Sequence, residues 1–217
     1  MRIMGAAIVA FVFLLSLTVV QGQSTSVGVK KGNWVEYTVS ATGTPPPEQN
    51  LNWAKIQILD VEGTAFHANV TVRYVNGTFS SGVRLFNFSV GQVQAWIIIP
   101  ANLNPGDYFY DSGLGSNVTI QGQLHKTVAS ADRLITYTNT TERNKEWDKA
   151  TGVYTQSNDY LSNYTIHAKA TATNMWSPQI LGLDQTVFYL IVVGIIVAVV
   201  IGVSLVVVAW KKKWIKR

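Results

Sequence analysis

The chain has 217 residues, 47% of them hydrophobic, a formal net charge of +5 and no cysteine. The missing thiols exclude disulfides, thiolate metal sites, cysteine nucleophiles and lipid attachment to an N-terminal cysteine, while a domain of this size buries an adequate core without staples. Residues 211–217 carry five of the positive charges, whereas residues 23–184 hold 11 Lys+Arg against 12 Asp+Glu, so the basic balance is a membrane flank and excludes a nucleic-acid surface.

The first 22 residues, one positive charge followed by an apolar run and then small residues, read as a secretory signal with cleavage after Gly22. The run from Ile3 to Val20 is long for a signal, which leaves an uncleaved anchor as the alternative. Either way, residues 23–184 are expected outside the membrane. Over residues 23–173 the apolar pattern alternates every second residue, punctuated by Gly, Pro and Asn, and no helix-length pattern of period 3.6 is present. The stretches W-V-E-Y-T-V (34–39) and A-K-I-Q-I-L-D-V (54–61) alternate in this way. In the next, Phe66, Ala68, Val70, Val72 and Tyr74 share one face and His67, Asn69, Thr71 and Arg73 the other, ending in the hairpin signal Asn76-Gly77. The continuous W-I-I-I (96–99) predicts a strand covered on both sides. N-V-T-I-Q-G-Q-L (117–124) and N-Y-T-I-H-A-K-A-T-A (163–172) alternate again. Residues 42–50 form a proline-stiffened connection, 100–107 a turn-rich one, and D-K-A-T-G (148–152) a tight hairpin closed by a glycine at positive φ. The pattern predicts a mainly β protein with nine to eleven strands, built as a single antiparallel β-sandwich or a strongly curved half-barrel-like sheet.

The segments V-K-K-G-N-W-V-E-Y-T-V (29–39), I-I-P-A-N-L-N-P-G-D (98–107) and W-D-K-A-T-G-V (147–153) together resemble a group of archaeal secreted or membrane-anchored β proteins. Some of these are similar in hairpin layout to the half-barrel lipoprotein-carrier fold. The resemblance spans residues 27–173 and implies a curved antiparallel sheet holding something apolar in its concavity. Its motifs are turn motifs, and no functional residue carries over from it.

The triplet N-x-[ST] occurs at Asn69, Asn76, Asn87, Asn117, Asn139 and Asn163, more often than the Asn, Ser and Thr content gives by chance. N-glycosylation of an exported domain is one reading; good turn and strand-edge composition is the other. Attached sugars need solvent-facing side chains, which places His67, His125 and His167 on the polar face as ordinary surface histidines. Asp107 and Asp111, and Glu142, Glu146 and Asp148, are the local carboxylate clusters; their spacing matches no calcium loop and points to turn capping. With no G-x-S-x-G, H-E-x-x-H or Gly-rich phosphate loop, neither an enzyme nor a cofactor is expected. Trp34 and Trp53 share strand faces with charged residues, so they are half-exposed rings able to stack on a sugar or to cover an open core edge.

Residues 174–187 read as a juxtamembrane linker in which Trp176 would rest at the bilayer surface. From Phe188 to Trp210 there is no charge, and at 1.5 Å per residue such a helix reaches roughly 34 Å, enough to span a membrane. Tyr189 and Trp210 fall at its two interfaces and Lys211, Lys212 and Lys213 follow, opening a basic tail (211–217) that is expected in the cytoplasm. Gly194, Ala198 and Gly202 form a small-residue stripe that allows a transmembrane helix dimer. The expected protein is a single-pass type I plasma-membrane protein, a non-enzymatic interaction or structural module. The alternatives are a carrier or receptor for an apolar or sugar ligand and, less in keeping with the motifs, an envelope hydrolase. Its expected partners are membrane lipid and another surface protein or a glycan, with no nucleic acid.

Overall fold

A computed structural model describes residues 25–181 and 183–215, so the expected signal (1–22) lies outside the described residues. The alternating segments form antiparallel strands in two meanders. The first contains β1 (Trp34–Gly43), β2 (Leu51–Glu62), β3 (Ala65–Tyr74) and β4 (Phe79–Asn87). After the small hairpin of β5 (Tyr108–Asp111) and β6 (Ser116–Thr119), the second contains β7 (Gly122–Val128), β8 (Ala131–Asn139), β9 (Arg143–Asp148), β10 (Tyr154–Tyr160) and β11 (Tyr164–Thr173). The meanders join along a β1–β11 seam into one nine-stranded sheet of order β4-β3-β2-β1-β11-β10-β9-β8-β7. Register breaks at Glu36/Tyr37, Leu51/Trp53, Ile58/Asp60 and Tyr154/Gln156 bend and twist it.

The excursion of residues 88–121 between the meanders supplies the second layer. Val35, Tyr37, Ile56, Phe66 and Ala170 project from one sheet face into a single buried cluster with Phe88, Trp96, Ile98, Phe109 and Ile120 of the excursion. Phe66 stacks on Phe86 at 4.7 Å and meets Phe88 edge-on at 5.6 Å. Tyr37 stacks on Tyr154 at 4.1 Å, and its hydroxyl donates to the Tyr154 carbonyl at 3.0 Å, so the phenol enters the core without an orphaned proton. Each such ring stabilises the fold by about 1.5–3 kcal/mol through burial.

Four sequence expectations need correction. Residues 96–99 are not a strand: Gln94, Ala95 and Trp96 are left-handed, with φ of 43, 55 and 65°, and Ile98 makes one bridge to Val153. The run is apolar because Trp96, Ile98 and Ile99 plug the core from a turn, a burial that hydropathy does not separate from that of a covered strand. Residues 117–124 are not one strand either; β6 pairs with β5 and β7 with β8, and buried Ile120 lies at the corner between them. The linker is not bare: beyond the eleven strands of residues 25–173, the top of the expected range, it contains β12 (Gln179–Ile180) and β13 (Leu183–Asp184), making 13 among the described residues. Trp176 is not at a bilayer surface: it is 3% exposed within the core cluster, with the Arg133 guanidinium 5.8 Å from its ring centroid. The backbone N–H of Gln179 donates to the Ser130 carbonyl at 2.8 Å, fixing the linker to the β7–β8 turn.

Helix α1 (Gln185–Ile215) starts ahead of Phe188 and continues past Trp210 through Lys211, Lys212 and Lys213, so those lysines extend the helix. Its 21-residue stretch Gln185–Leu205 has mean hydropathy 2.9 and is long and apolar enough to cross a membrane. Tyr189 and Trp210 are exposed. Gly194, Ala198 and Gly202 recur every fourth residue and share a side of the helix; the two glycines have open space around them.

Candidate functional site

The sheet has a covered face and an open face. Antiparallel register sets polar side chains in rows across the open face: Tyr137 lies opposite Glu146, Glu146 opposite Gln156, Gln156 opposite Lys169, and Thr38 opposite both Lys169 and Trp53. Trp34 and Trp53 are half-buried here, as their strand faces predicted. Lys55 lies 4.6 Å over the Trp34 ring and pairs with Glu36 at 2.9 Å, so Trp34 is stacked by its own neighbour. Trp53 meets Phe79 edge-on at 6.3 Å.

The sequon asparagines occupy several settings. Asn76, Asn117, Asn139 and Asn163 are exposed, whereas Asn69 and Asn87 are half-buried. The Asn69 carbonyl accepts from the Ser81 hydroxyl at 2.9 Å on the open face. The Asn76 side chain accepts from the Thr78 N–H at 3.0 Å, closing the β3–β4 turn, and Asn87 does the same for Ser89 at 3.1 Å.

The histidines stand apart. His67 shares its face with Asn69 and holds Asp60 at 2.9 Å, and that hydrogen bond keeps the Asp60 carboxyl below its ordinary range. His125, on a different strand from Asn117, faces Asp132 at 3.6 Å, and half-buried His167 bonds Asn158 at 2.8 Å. No three His, Asp or Glu side chains gather as a metal site among the described residues. Two of the carboxylates cap turns: Asp107 accepts from the Asn104 N–H at 2.7 Å and Asp148 from the Thr151 N–H at 2.9 Å. Asp111 is buried and accepts from the indole N–H of Trp96 and the Gly113 N–H.

A charged cluster lies on the covered face. Lys145, 4% exposed, donates to the Ala95 carbonyl at 2.9 Å and lies 3.5 Å from Asp159. Arg143 lies 3.4 Å from the same carboxylate and 4.9 Å over the Trp96 ring. Together they hold the left-handed 94–96 turn against β9. Burial pulls the Lys145 pKa below 10.5; Asp159 opposes this and Arg143 adds to it. The folded chain therefore releases this proton at lower pH than the unfolded chain, so stability gains a component that rises with pH up to about 10.5. Lys145→Met removes that component. In thermal melts the stability of the unaltered protein relative to Lys145→Met is expected to rise with pH as 10.5 is approached from below. A difference that stays constant with pH would contradict this ionisation.

A polar groove of about 330 Å³ opens on the β7–β10 end of the open face, lined by Leu124, Tyr137, Asn139, Asn144, Glu146, Gln156 and Asn158. Lys126 reaches in to pair with Glu146 at 2.6 Å and donates to Gln156 at 2.9 Å. Asn144 donates to the Tyr160 hydroxyl at 3.1 Å. Apart from Asn139 and Glu146, none of these lining residues stood out in the sequence. The available signal was the alternation of polar residues within β9 (Asn144, Glu146) and β10 (Gln156, Asn158), which becomes a site only when register sets the two strands side by side.

No family model matches this chain, and no curated protein matches it. Among solved structures, the siderocalin Ex-FABP, described as functioning through dual ligand specificities, aligns over 73% of this chain and 80% of its own at 9% identity, with a TM-score of 0.25. A likeness at that level assigns neither activity nor ligand.

Proposed function

We propose that this chain is a non-enzymatic surface module of an archaeal-type envelope: a single-pass type I plasma-membrane protein with its glycosylated β domain outside and its lysine-rich end in the cytoplasm. The observation that carries this reading over a carrier of apolar cargo is that residues 88–121 already fill the face of the sheet on which cargo would sit, with Phe88, Trp96, Ile98 and Phe109 all buried. The open face, whose polar rows run from half-buried to exposed, is the surface left for partners. The basic residues after the helix support the orientation, and N-x-[ST] triplets without cysteines support the envelope type.

Protease added to sealed cells is expected to digest the β domain while leaving an epitope placed after Arg217 intact. The reverse pattern would invert the topology. Native mass spectrometry of the detergent-purified full chain is expected to show sugar on the exposed sequons and no lipid held one-to-one. A stoichiometric lipid would favour the carrier reading instead.

A further inference from the structure

We propose that the open-face groove between β7 and β10 is a binding site for a neutral carbohydrate. The inference rests on the outward placement of the domain only for where the sugar is met, since the site itself belongs to the folded domain.

The chemistry of the lining selects the ligand class. The Lys126 ammonium neutralises the one carboxylate, Glu146, at 2.6 Å, so the groove offers neither a free cation nor a free anion. What remains is amide and phenol. Lys126 and His167 engage the carbonyl ends of Gln156 and Asn158, at 2.9 and 2.8 Å, leaving both side-chain NH₂ groups without an acceptor among the described residues. Asn144 spends its NH₂ on Tyr160, which leaves its carbonyl free, and the Asn139 side chain and Tyr137 hydroxyl have no hydrogen-bond partner among the described residues. Unspent donors and acceptors thus stand side by side on neighbouring strands about 5 Å apart. A sugar hydroxyl both donates and accepts and carries no charge, so a run of hydroxyls matches such a set. A phosphate or carboxylate would find no free cation, and an alkyl chain would strand every amide.

The apolar component is also present. Leu124 and the ring of Tyr137 give the groove a patch against which the C–H face of a sugar ring packs. Gly122 makes room for that ring: a Cβ there would fall 2.4 Å from the Tyr137 hydroxyl oxygen and 2.5 Å from Cζ. The volume lies at the lower end of ligand-site volumes, about 300–1,000 Å³, and suits a mono- or disaccharide unit. Asn139, a sequon asparagine, forms part of the wall, so the sugar comes either from a separate glycan or from the chain's own Asn139-linked one.

Titration of the detergent-purified full chain with maltotriose, mannotriose and chitotriose, read by calorimetry and by saturation-transfer NMR, tests this and does not depend on topology. Saturable binding of at least one trisaccharide is expected, with affinity unchanged by salt because no net charge is involved. Asn144→Ala/Gln156→Ala should weaken it by about tenfold or more, because two hydrogen-bonding side chains are lost. The near-isosteric Gln156→Glu, which removes the NH₂ donor and leaves two carboxylates sharing Lys126, should also weaken it. Ser81→Ala, far along the same face, should not. Binding that emerges only in Asn139→Gln, and is lost again on adding the groove substitutions, identifies the chain's own glycan as the occupant. Absence of binding in both the unaltered and Asn139→Gln proteins overturns the proposal, as does binding that the groove substitutions leave unchanged.

Discussion

Gly152→Ala is expected to lower the melting temperature of the β domain by about 10 °C or more, corresponding to a loss of roughly 3–5 kcal/mol. Gly152 closes the β9–β10 hairpin at φ +71°, and a Cβ there would fall 2.0 Å from the Ile99 carbonyl oxygen. The carbonyl is backbone and a Cβ has no torsion of its own, so no rotamer change relieves the collision. Yielding would break the Ile99 N–H bond to the Gly152 carbonyl (3.0 Å) or the Gly152 N–H bond to the Asp148 carbonyl (2.8 Å), and with them the link between excursion and hairpin. Gly32→Ala isolates the conformational part: Gly32 has φ +84° with nothing within 4 Å, so it should lose only about 1–2 kcal/mol. Melts of the two variants followed by far-UV circular dichroism measure the difference, and equal losses would refute the steric account.

Trp147→Ala should be comparably severe, at about 3–5 kcal/mol. Its ring is 0% exposed and lies 6.4 Å from Trp96 and 6.1 Å from Phe109, joining sheet to excursion. Its indole N–H also donates to the Trp96 carbonyl at 2.8 Å, one of the restraints on the left-handed turn. Truncation leaves both a cavity and an unpaired carbonyl. Trp147→Phe keeps most of the buried volume but loses the donor and part of the ring, so its loss should be less than half that of the alanine variant. Chemical denaturation gives both values.

Much of the fold was legible because alternation is a local property. Phe66, Ala68 and the residues opposite them sort to covered and open faces by parity, and Asn76-Gly77 and Gly152 mark turns that only a positive φ closes. The failures fall where burial is decided at long range. Ile98 and Ile99 are as apolar as any strand core, and only the covering role of residues 88–121 shows why they lie in a turn. Trp176 carries no local sign that it belongs to the core and not to lipid; Arg133 and the β7–β8 turn, which receive it, are more than forty residues away in sequence. The groove was hidden for the same reason. Asn144 and Asn158 are ordinary strand residues until pairing places them opposite one another. Trp34 and Trp53 were placed on the right face, yet their rings are engaged by Lys55 and Phe79, outside the groove.

The seating of Trp176 governs what the domain is able to touch. Between it and α1 lie only residues 177–184, a span of roughly 28 Å if fully stretched and shorter here because β12 doubles back on β13. On the proposed single-pass topology, a head moored on so short a leash would sample only a thin shell above its own lipid, where neighbours planted in the same bilayer reach high local concentration.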